Sequence, residues 1–137
     1  MPDSPLVQTF QQVDAHIRDL ERILSDRGSL PVSETVDQAM SLVSQLIRAY
    51  LVDAGEKDVP ADTADLLDVF KVLVKGDPSW NTIRDNCREL VFYRNCLDMA
   101  RSDALPRAPE KMAVRTLRHL YLFMKTRAMR ENRLDYE

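Results

Sequence analysis

Glycine is scarce in this chain: three residues in 137, set against seven prolines. Gly28, Gly55 and Gly76 stand far apart, which excludes a glycine-rich phosphate loop. Glycine and proline fall between apolar-periodic stretches, a punctuation that suits a few long helices rather than many short strands. Histidine is scarcer still. His16 and His119 are the only two, and neither belongs to a metal-binding pattern such as His-Glu-x-x-His. No metal site and no cofactor is expected. The two cysteines, Cys87 and Cys96, lie nine positions apart. On one helix that is about 13 Å along the axis, too far for a disulfide between them. Reduced thiols suit a cytoplasmic setting. No apolar run approaches ~18 residues, so no membrane span is expected, and the first residues carry no basic-then-apolar leader pattern.

What is present is ordinary for a globular chain: 45% hydrophobic and 30% charged residues. The length fits a single domain over 1–137. The net charge of −3 is unevenly spread. Residues 1–105 hold 11 Lys+Arg against 18 Asp+Glu, whereas residues 106–137 hold 8 against 4. Either a basic last helix packs on an acidic body, or it offers a surface to nucleic acid or an acidic partner.

Apolar spacing predicts five helices. The first covers about Leu6–Arg27, with Gly28 as its C′ residue. The second covers about Glu34–Ala54, capped by Ser33 and stopped by Gly55. A short third helix runs from about Thr63 to Lys75, with Asp62 as N-cap. The fourth runs from about Ser79 to Arg101, and the fifth from about Pro109 to Asn132, with Pro109 at N1. A tail over 133–137 is expected to fray. Short connections between long amphipathic helices imply an all-α, up-and-down bundle of four long helices with one short inserted helix.

Arg94 is the residue that breaks the pattern. On the fourth helix Trp80, Ile83, Cys87, Leu90, Val91 and Leu97 share an arc, and Arg94 falls inside it. A buried guanidinium needs partners. Asp98, one turn on, is the local candidate, and Asp65 or Asp68 from the third helix are others. A self-association seam is the alternative, since arginine is enriched at interfaces. On the fifth helix Lys111, Arg115, Arg118 and Lys125 form a stripe, interrupted by Leu122, of the kind that meets phosphates. It lacks the exposed aromatics that stack bases. Met99, Met112, Met124 and Met129 read as core fillers.

The segment Arg88-Glu89-Leu90-Val91-Phe92-Tyr93-Arg94-Asn95-Cys96-Leu97-Asp98-Met99 resembles the HEPN family, especially its HepT-type toxins and antitoxin-associated relatives. That family often carries a segment similar to Arg-Glu-Ile-Ile-x-x-Arg-Asn-x-Leu-Val-His on a late helix. The stretch Gly55 to Pro60, followed by Asp65-Leu66-Leu67, is similar to the family's helix-connecting region. The resemblance implies a helical bundle of this size, a nucleotidyltransferase-type partner, and RNA as a possible ligand. It departs at two points, the lesser being Arg101, which stands where a tyrosine is common. Met99 stands where the family's catalytic histidine falls, and a thioether cannot act as general acid or base. The implied protein is therefore a degenerate, non-catalytic interaction module that self-associates or binds a protein partner. The alternatives are an RNA endonuclease using Arg94 and Asn95 with His119, or a nucleic-acid binder using the stripe on the last helix.

Overall fold

A computed structural model describes residues 3–134. The architecture is all-α. In chain order the elements are α1 (Pro5–Arg27), α2 (Val32–Asp53), α3 (Leu66–Gly76), a 3-10 turn (Pro78–Ile83), α4 (Arg84–Asp98), a second 3-10 turn (Ser102–Ala104) and α5 (Pro109–Arg130). No strand occurs among the described residues.

The ends of these helices follow from local chemistry. Ser4 caps α1 by accepting from the Val7 amide at 3.2 Å. Gly28, left-handed at φ 80°, closes it. Its amide returns to the Leu24 carbonyl. Three other helices end in a longer bonded form, in which the second residue past the cap bonds back to the third carbonyl from the end. The Glu56 amide returns to Leu51, that of Arg101 to Cys96, and that of Arg133 to Ala128. The left-handed residue is Gly55 in the first case, Ala100 in the second and Asn132 in the third. The last bond holds the chain beyond α5 in place. Leu134 is buried and Arg133 lies over the Tyr50 ring. The expected fraying therefore fails at 133 and 134, and residues 135–137 lie outside the described residues.

Two expected caps are corrected. Helix α2 begins at Val32 with Pro31 in the cap position and no side-chain cap; the Ser33 hydroxyl instead accepts from Arg94. Helix α3 begins at Leu66, so the cap position falls on Asp65, not Asp62, and its carboxylate makes no capping bond. The fourth helix is shorter than the 79–101 expected. Asp77 accepts from both the amide and hydroxyl of Ser79, and the Thr82 hydroxyl donates to the Ser79 carbonyl. These local bonds tighten the first turns into 3-10 form.

One apolar cluster draws on every α-helix. α2 is its central element, packing against α1, α3, α4 and α5. Val13, Ile17, Val36, Val43, Leu46, Ile47, Leu90, Leu117, Leu120 and Met124 are essentially inaccessible. Trp80 is buried edge-on between Tyr50 and Phe123. The basic last helix does pack on an acidic body: Arg118 meets Asp14 and Glu21 of α1, and Arg127 meets Asp77.

Candidate functional site

Helix α4 presents two unlike faces. Cys87, Leu90, Tyr93 and Cys96 point into the fold and are buried. Burial alone pushes the Cys87 thiol up to about 12, so that sulfur stays protonated and inert. Burial also raises the Tyr93 phenol, whose hydroxyl donates to Glu89.

Arg94 stands between the faces, its side chain 21% exposed. It does not sit at the centre of the core. Its guanidinium reaches the start of α2, where Nη1 donates to Asp37 Oδ1 at 2.9 Å and to the Ser33 hydroxyl at 3.0 Å. Nε and Nη2 meet Asp98 at 3.0 and 2.8 Å. Asp98 is thus a partner as expected. Asp37, not Asp65 or Asp68, supplies the second carboxylate. Partial burial works against the charged guanidinium, and the hydrogen bonds to Asp37 and Asp98 more than offset it, raising its pKa above the usual arginine value.

The outward face of α4 is a ridge of Arg84, Arg88, Phe92, Asn95 and Met99, all exposed and spaced three or four apart. Phe92 is 48% exposed and Met99 71%. Met99 is therefore no core filler; Met124 is one, and Met112 and Met129 are partly buried. Beside the ridge a groove of about 360 Å³ separates α3 from α4. Leu67, Phe70 and Val74 form its apolar floor, and Lys71, Lys75, Arg84 and Arg88 its rim.

On α5 the basic stripe is divided. Arg118 is no free cation. It donates to Asp14 at 2.7 Å and to both oxygens of Glu21 at 3.2 and 2.8 Å. The hydrogen bonds to Glu21 lead in raising its pKa above the usual arginine value. Lys125 lies over the Tyr121 ring at 5.9 Å. Lys111 and Arg115 are exposed and border, with His119 and half-exposed Leu122, a groove of about 540 Å³ between α1 and α5. His119 also lines a second groove toward the first 3-10 turn. Arg94 borders neither, so the fold does not bring Arg94, Asn95 and His119 to one cavity. His16 is exposed. Among the described residues no cluster of His, Cys, Asp and Glu has a metal-binding arrangement, and no helix is long and apolar enough to cross a membrane.

Sequence reading missed a polar knot where α2 and α5 end. Tyr50 donates to Glu131 at 2.5 Å, and Arg133 bridges Glu131 and Asp53 at 3.4 and 3.7 Å. The Arg127 guanidinium lies 4.2 Å from the Trp80 ring centre and pairs with Asp77. Burial, then the Glu131 bond, pushes the Tyr50 phenol up to about 12. Tyr50 and Glu131 are 81 positions apart, beyond the reach of local periodicity.

The fold and surface together define an all-α helical bundle. No family model, curated protein or solved structure matches the chain.

Proposed function

We propose that the protein is a non-catalytic interaction module that pairs with a second copy of itself through the outer ridge of α4. The observation that carries this reading is the exposure of Phe92 and Met99 on one face of a helix whose other face is fully anchored. Large apolar side chains placed together at a surface favour a contact that removes them from water. Acidic residues flank the ridge as well, Asp98 among them although Arg94 already engages one of its oxygens. Asp85 and Arg88 stand near its start and Asp98 near its end. An antiparallel, two-fold pairing of α4 with its copy brings Arg88 of one chain toward Asp98 of the other. Arg94 takes no direct part; it fixes α4 against α2 so that the ridge is held in one orientation.

This is the behaviour of a degenerate HEPN-like chain, with Met99 in the place of the histidine. An endonuclease reading has less support, because Arg94 is already neutralised and His119 opens on other grooves. A phosphate-binding reading of α5 loses Arg118 to α1. A single helix face buries less than the ~1,600 Å² of a standard interface, so association is expected to be in the micromolar range or weaker.

The test is an Asn95→Cys variant, with the new thiol midway between Phe92 and Met99 and both native cysteines buried. Under mild oxidation it gives a disulfide-linked dimer, whereas Lys57→Cys, on an exposed loop, does not. Equal cross-linking of the two variants, or none in either, would overturn the reading.

A further inference from the structure

A groove of about 450 Å³ lies between α2 and the segment leading into α3. Ser41, Ser44, Gln45 and Arg48 line it from α2, and Asp62 and Asp65 from the opposite side. Ser44 is 7% exposed, and its buried Oγ has no hydrogen-bond partner among the described residues. One turn on, the Nε of Arg48 is also buried and also unpartnered. Folded proteins rarely leave buried donors unpaired, and each instance calls for an explanation. A second opening lies opposite. Asp65 occupies the cap position of α3, yet its carboxylate makes no capping bond. That carboxylate therefore lines the groove, together with Asp62, without being spent on the helix end.

One wall offers unpaired donors and the other offers carboxylates. A bare anion would meet Asp62 and Asp65, and a bare cation would leave Ser44 and Arg48 unpaired. We infer that this groove binds a small zwitterion of the α-amino acid class, its carboxylate taken by Arg48 and Ser44 and its ammonium by Asp62 and Asp65. The volume admits such a molecule with its side chain. The site is on a different face from the α4 ridge and does not rest on the pairing proposed there.

The test is a titration of the full-length chain with each standard L-amino acid at millimolar excess, followed by amide chemical shifts. At least one amino acid shifts the amides of Ser44, Arg48 and Asp65 saturably. The matching amine without its carboxylate and the matching acid without its amine do not. Arg48→Met loses the response. Ser44→Ala weakens it by about tenfold, the scale of one lost hydrogen bond to a charged group, and raises the melting temperature of the free protein by removing an unpaired hydroxyl. A merely structural Ser44 predicts a lower melting temperature instead. Absence of any response, a response retained in Arg48→Met, or an equal response to the deaminated acid would each overturn the inference.

Discussion

Asp37 accepts a hydrogen bond from the Arg94 guanidinium at 2.9 Å, across 57 positions of sequence. With Ser33 and Asp98 this bond turns a polar intrusion on α4 into a clamp on the first turns of α2. Both carboxylates are mostly exposed while the guanidinium is largely covered. Loss of the arginine is therefore the more costly change. Arg94→Met is expected to lower stability by about 1–2 kcal/mol, and Asp37→Asn by less than about 1 kcal/mol. Urea unfolding of the two single variants and the double variant gives a coupling of about 0.5–1 kcal/mol. Strict additivity would break the clamp.

Arg118 makes the equivalent link between α5 and α1. Arg118→Met leaves Asp14 and Glu21 without their shared partner and is expected to cost about 1–2 kcal/mol. Because this charge is already neutralised within the fold, elution from heparin occurs at the same salt for variant and wild type. Earlier elution of the variant would return Arg118 to a phosphate-binding surface.

Much of the bundle was legible in the sequence. The five helices, the apolar stripes and the Gly28 and Gly55 stops come from spacing that reports local backbone directly. The Arg94–Asp98 pair was legible because both residues sit on one helix. Asp37 and the Tyr50–Glu131–Arg133 knot were not, because side chains on different helices meet only once the packing is set. The exposure of Met99 was hidden for another reason. Apolar spacing on α4 points to Val91 and Leu97, which are only partly buried, whereas Tyr93 and Cys96 are fully buried. That turns Phe92 and Met99 outward. The helix stop at Ala100 was missed because no glycine marks it.

That stop leads to a stability prediction. Ala100 holds a left-handed conformation at φ 55°, which costs a residue with a Cβ roughly 1–2 kcal/mol. Glycine removes this strain but loses more backbone entropy on folding, roughly 0.5–1 kcal/mol. Ala100 is exposed. Ala100→Gly is thus expected to stabilise the protein by about 0.5–1 kcal/mol, read as a higher urea midpoint with unchanged slope. A lower midpoint would contradict the assigned helix end.

The buried acids fix the response to alkali. Tyr50 and Cys87 are pushed up to about 12 in the folded chain, each chiefly by burial. In the unfolded chain they release protons near ~10 and ~8.5. Above those values the unfolded state holds fewer protons, so stability falls as pH rises. The contribution is fully present below about pH 8.5 and is lost progressively toward about pH 12, at up to ~1.4 kcal/mol per pH unit for each group. Urea midpoints at neutral pH and at about pH 10.5 show the decline, and Cys87→Ala makes it shallower. A flat profile would mean that these groups are open to solvent.

In the proposed pairing α4 carries the contact surface and Arg94 holds it in place. Sedimentation equilibrium over a wide range of protein concentration tests it most directly, with wild type, Phe92→Glu and Lys57→Glu run side by side. The account predicts reversible dimerisation of wild type and Lys57→Glu, and a monomer at every concentration for Phe92→Glu with its fold intact. A wild-type protein that stays monomeric throughout, or a Phe92→Glu variant that dimerises as well as wild type, would contradict it.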